Sequence, residues 1–146
     1  VEKREIQEVS ATGNEKEGEV RRNRLVSVIF ILSGIYDGIL GLAFLIYPEF
    51  GFDLFNVGYP NHWGYVRFPA ALLCVFAVMF FAIAFKPKKN RSLIPYGILL
   101  KLSYSLIVFG YWFTKGLPNM WKPFAIADIG FAILFLWSFI SLGEKR

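Results

Sequence analysis

Residues 25–47 read LVSVIFILSGIYDGILGLAFLIY, and Pro48 follows at once. Asp37 is the one ionisable carboxylate in that stretch. At ~1.5 Å per residue a helix of this length covers a hydrocarbon core of ~30 Å. Buried helices of soluble domains rarely run so far without a polar face. Here small residues stand where that face would be. The segment predicts a membrane-spanning helix that stops at the proline.

The same pattern recurs over 66–85 with Arg67 at its edge, over 93–113 around Lys101, and over 121–142 around Asp128. Of the 146 residues 55% are hydrophobic, gathered in blocks with the charges between them, so the solvent implied is a lipid bilayer. The expected fold is an all-α integral membrane protein, a four-transmembrane-helix bundle over 25–142. A charged tail, 1–24, precedes it and a short end, 143–146, follows. The tail holds six acidic and six basic side chains and almost nothing apolar. It reads as solvated, with Ile6 and Val9 spaced for one short helix at most.

The net charge of +5 does not imply nucleic acid, because the positive residues sit in short clusters beside apolar blocks. Arg21, Arg22 and Arg24, then Lys86, Lys88, Lys89 and Arg91, then Lys145 and Arg146 fall on one side. Arg67, Lys115 and Lys122 fall on the other. Nine against three predicts that both termini are in the cytoplasm or the topologically equivalent compartment. The long loop, 48–65, is then outside. Its rings, among them Phe52, Tyr59 and Trp63, read as an aromatic belt, and residues 52–55 as a possible turn of interfacial helix.

Within lipid, helices associate through small residues and shared polar groups. Steps of three and four put Gly34, Asp37, Gly38 and Gly41 on one face of the first span. They likewise align Arg67, Ala70, Ala71, Cys74 and Ala77 on the second and Gly97, Lys101, Tyr104, Ser105 and Val108 on the third. Ala125, Asp128 and Ala132 align on the fourth. The four ionisable residues fall on the four small-residue stripes, which leaves Phe, Leu and Ile to face lipid. Helical rise puts Asp37 ~18 Å, Lys101 ~12 Å and Asp128 ~20 Å from the cytoplasmic side. An unpaired charge at that depth costs ~3 kcal/mol or more. Lys101 is therefore expected to pair with Asp128, Asp37 or both, and Arg67 to approach Asp128 or Glu49. Tyr104 completes the expected polar cluster.

The sequence excludes several chemistries. One cysteine, Cys74, cannot form the pair that a thiol oxidoreductase requires, and one histidine, His62, cannot supply a bis-histidine haem. No metal-ligand spacing, nucleophile with its base, or phosphate loop is present. His62 reads as an exposed loop residue and Cys74 as packing.

The Gly-rich first span (Ser33-Gly34 through Gly41-Leu42), the motif Val66-Arg67-Phe68-Pro69-Ala70-Ala71 and the late acid in Ala127-Asp128-Ile129-Gly130 resemble the DoxX-like group of small bacterial membrane proteins. The likeness covers 25–142. It implies four short helices in a bacterial inner membrane, with both termini on its cytoplasmic side, and, from some members, an association with quinone-linked sulfur oxidation or larger membrane assemblies. It carries no catalytic residue onto this chain. Small multidrug exporters also have four spans and an acid in the first, but the charge asymmetry and outer loop depart from them.

The expectation for function is a non-catalytic accessory or scaffold subunit of a larger membrane complex. Its partners would be the bilayer and other subunits or a second copy, and it would need no metal or resident cofactor. Two alternatives stand beside it. One is a proton-coupled carrier of a small solute using Asp37 and Asp128. The other is a quinone- or lipid-binding redox accessory protein in which Tyr104, Lys101 and Asp128 hold a head group.

Overall fold

The computed structural model describes residues 1–143 and is helical almost throughout. Its helices are α1 (Glu2–Ile46), α2 (Glu49–Leu54), α3 (Gly64–Phe85), α4 (Ile94–Thr114) and α5 (Lys122–Gly143). Short 3₁₀ turns, Arg91–Leu93 and Asn119–Trp121, lead into α4 and α5. All but α2 are long and apolar enough to cross a membrane.

Residues 1–24 are not a separate tail. They are the first half of α1, one helix of 45 residues that projects ~36 Å beyond the apolar part. The segment lacks proline, is rich in good helix formers, and puts Glu2 and Glu5 in the first turn, where the helix dipole favours acids. Helix initiation, which is costly for an isolated peptide, is supplied here by the membrane span that follows. The projection is exposed along its length to Arg21, which agrees with its polarity. Among the described residues its one ion pair to the rest of the chain joins Glu19 to Lys88 of the α3–α4 connection. That lysine, through its hydrogen bond and then its charge, holds the Glu19 carboxyl below the usual range. Both side chains are about half exposed, so the pair contributes little to stability. The end of the chain expected over 143–146 lies, apart from Gly143, outside the described residues.

Proline and glycine set the other boundaries. Pro48 stops α1 after the Tyr47 N–H bonds to the Ala43 carbonyl. His62 Nδ1 accepts from the Gly64 N–H at 3.0 Å and so caps the start of α3, a local role for an otherwise exposed histidine. Past the end of α4, Gly116 at φ +74° is a left-handed residue whose N–H returns to the Tyr111 carbonyl.

The spans pack as two pairs. α1 lies on α3 through its glycine face. Gly38 meets Ala77, and Gly41 is so close that a Cβ there would fall 2.8 Å from both the Ala70 carbonyl oxygen and Cys74 Sγ. α4 lies on α5, with Ser105 Oγ donating to the Ala125 carbonyl at 3.1 Å and Tyr104 Oη to the Trp121 carbonyl at 3.0 Å. Between the pairs, toward the side carrying Arg21 to Arg24, sit Phe30, Phe80 and Phe135, all fully buried. Phe30 stacks on Phe135 at 4.4 Å and Phe80 meets it edge-on at 5.1 Å. The expectation that phenylalanine faces lipid fails at these three. Two helix pairs do not approach closely enough for small residues to fill the gap, so large rings fill it.

At the opposite, aromatic side the segment 48–65 folds back on the bundle instead of lying loose. Phe52 of α2 is buried and touches the rings of Trp63, Tyr59 and Trp121 at 5.4–6.3 Å. Tyr59 Oη donates to Asp53 Oδ1 at 2.5 Å.

Candidate functional site

Three helices bring Asp37, Lys101 and Asp128 to one point. Lys101 is fully buried, and its Nζ donates to Asp37 Oδ1 at 2.6 Å and to Asp128 Oδ1 at 2.9 Å. The lysine stem lets a group on α4 span both pairs, since Asp37 belongs to α1 and Asp128 to α5. The three charges therefore tie the α1–α3 pair to the α4–α5 pair where direct helix contact is sparse.

The rings of Tyr36, Phe131 and Phe80 stand 5.0, 5.2 and 5.8 Å from Lys101 Nζ. Such faces favour a cation that has lost its water. These rings are not among the residues expected at the cluster, although their spacing signals them. Phe131 lies three residues after Asp128, Phe80 three after Ala77, and Tyr36 beside Asp37.

The charges do not balance. Two carboxylates face one ammonium. Lys101 occupies one oxygen of each, and Asp37 Oδ2 is buried without a hydrogen-bond partner. Asp128 makes no second hydrogen bond among the described residues, and its side chain keeps 9% of its surface exposed. Buried carboxylate oxygens left unpaired are costly, and in a native site each one calls for an explanation.

Both carboxylates line a cavity of about 470 Å³ that lies toward the aromatic side. α3 and α4 meet where Phe80 crosses Gly97, then part, and the cavity occupies the gap between residues 65–73 and 100–107. Its walls are almost wholly apolar, with Leu40, Phe44, Leu73 and Phe124 among them. Exposed Tyr65, Leu72 and Ile107 frame it on the surface that lipid would cover. Pro69 also lines it and cannot donate to the preceding helical turn, which loosens α3 beside the opening.

The other expected site residues divide. Tyr104 lines the cavity but spends its proton on the Trp121 carbonyl and makes no hydrogen bond to Lys101. Gly34, Gly41, Ala125 and Ala132 are buried and Gly38 is partly so, all at helix contacts. Arg67 is a correction. It is exposed and forms an ion pair with neither Asp128 nor Glu49. Near a helix end a long arginine reaches water at less cost than it enters a cluster. Among the described residues no group of three or more His, Cys, Asp or Glu is placed to hold a metal ion.

No family model, no curated protein and no solved structure matches this chain.

Proposed function

We propose that the protein binds a small amphiphilic molecule within the membrane, as a receptor or carrier and not as an enzyme. The single observation behind this reading is the apolar cavity lined by two buried acids, one of which, Asp37, keeps an oxygen without a partner. Its volume falls in the range of small-molecule sites, as does the pattern of greasy walls with a few converging polar groups. Entry is lateral, from lipid, through the gap between α3 and α4. Both termini are cytoplasmic and the loop 48–65 is outside, as the basic residues favour, so the cavity belongs to the outer leaflet. A bacterial inner membrane fits this arrangement and the resemblance to the DoxX-like group.

Ser103→Trp tests the reading. Ser103 lies at the exposed edge of the cavity, where a large ring can fill the space without disturbing the bundle. Organic extracts of purified wild type, analysed by mass spectrometry, should contain a bound amphiphile close to stoichiometric. The variant should retain far less of it at unchanged thermal stability. Identical extracts from both proteins would defeat the proposal.

A second reading, an accessory subunit of a larger membrane complex, is favoured by the projecting half of α1. A helix of that length, exposed up to Arg21 and joined to the α3–α4 connection by a weak surface ion pair, suits docking onto a partner's soluble domain. Deleting residues 1–18 should leave the membrane bundle folded and abolish co-purification of a defined partner in mild detergent. Retention of the partner by the truncated chain would exclude this role for the helix.

A further inference from the structure

The floor of the cavity has a definite chemical demand. When all three groups are ionised, Asp37, Asp128 and Lys101 sum to one negative charge. Among the described residues Lys101 is the one cation paired with the carboxylates, and Arg67 is exposed. From α3 only apolar side chains and the Cys74 thiol approach this level of α1, and the Tyr36 and Tyr104 phenols bring no positive charge. Of the orphaned polar atoms at this level, the Ser33 and Tyr36 hydroxyls belong to residues that do not line the cavity; on the two acids that do, Asp37 Oδ2 has no donor and Asp128 retains exposure. An anionic head group would meet two carboxylates at close range. A neutral hydroxyl could donate once but would leave the charge unbalanced. A monocation with N–H groups meets both requirements.

The approach is built for the same guest. Phe44, Tyr65, Trp121 and Phe124 line the way to the carboxylates and can face a cation, while the leucines and Ile107 accommodate a hydrocarbon chain.

We propose that the ligand is an amphiphilic primary or secondary amine, bound as its ammonium ion between Asp37 and Asp128 with its apolar part in the cavity. This rests on the binding role proposed above. The ammonium donates to the carboxylate oxygens that Lys101 leaves free, and the cluster becomes neutral with two cations and two anions. The head group then sits in an arrangement like that of Lys101 itself.

The test compares decylamine, decyltrimethylammonium, decanol and decyl sulfate, which share a tail and differ in head. Binding to the full chain in nanodiscs of neutral lipid is followed by isothermal titration calorimetry against empty nanodiscs, a readout that the added ring of Ser103→Trp does not itself alter. Decylamine should bind at least about tenfold more tightly than decanol. Decyltrimethylammonium, which carries the charge without a donor, should fall between them, and decyl sulfate should bind weakest. Ser103→Trp should weaken all four. Asp37→Asn should bring decylamine down to the level of decanol, and Asp128→Asn should narrow the difference. The head-group order is measured on the unaltered protein, so it stands even if a variant folds poorly. Equal binding of the four heads, abolished by Ser103→Trp, would overturn the amine assignment and leave the cavity reading intact. Preference for the sulfate would overturn it equally. Failure of every probe to bind at the cavity would remove both.

Discussion

Lys101→Met should leave little folded protein. The substitution keeps the stem and deletes the ammonium, so Asp37 and Asp128 lose their shared counter-ion while remaining buried. Removing one partner of a buried ion pair costs about 3–5 kcal/mol, and here one change strips two partners. Against a total stability of about 5–15 kcal/mol the loss is severe. The expected result is a collapse of the monodisperse peak in detergent chromatography and a large fall in the unfolding temperature of what remains. The cause is the uncompensated charge and not the missing contact, so neutralising the acids should reverse much of it. The triple change Lys101→Met, Asp37→Asn, Asp128→Asn should be recovered in better yield than the single one. A single variant that melts like wild type would show that the triad does not hold the helix pairs together.

The second large effect belongs to Gly41. Any side chain there projects into the backbone of α3, with the Ala70 carbonyl and Cys74 Sγ each 2.8 Å from the added carbon. A carbonyl in a helix cannot step aside, so the two helices must separate. Overpacking typically costs about 1–3 kcal/mol, and here it also loosens the contact that carries Gly38 against Ala77. Gly41→Val should therefore lower the unfolding temperature in nanodiscs substantially. Gly110→Ala and Gly130→Ala, where an added carbon meets nothing within 4 Å, should match wild type. Combining Gly41→Ala with Cys74→Ala should recover only part of the loss, because the sulfur leaves and the carbonyl stays. Equal stability of the Gly41 and Gly110 variants would remove close α1–α3 approach as a source of stability.

These two effects mark how far the chain could be read before its structure. The spacing of Gly34, Gly38 and Gly41 beside Asp37 announces a contact face, because a helix repeats every three to four residues whatever it packs against. It does not say which helix lies opposite. That the glycines meet α3, while Lys101 crosses to both pairs, depends on how the helices are arranged. Arg67 shows the same limit. Its position in the stripe is a fact of spacing, yet its orientation is set by the cost of staying buried against reaching water near a helix end. Phe80 and Phe135 look like lipid-facing residues one at a time and become core because two helix pairs leave a gap between them.

The start of α1 at Glu2 is not legible in the chain alone, but four apolar helices, the stops at Pro48 and Pro87, and two acids and one base deep within the spans are. These follow from local rules: chain rise against bilayer thickness, backbone hydrogen bonding in lipid, and the cost of unpaired charge. Which oxygen each charge uses, which carboxylate oxygen is left over, and the cavity beside the acids emerge only when the helices are assembled. Those depend on distances between residues far apart in the chain, and helical periodicity fixes directions but not distances.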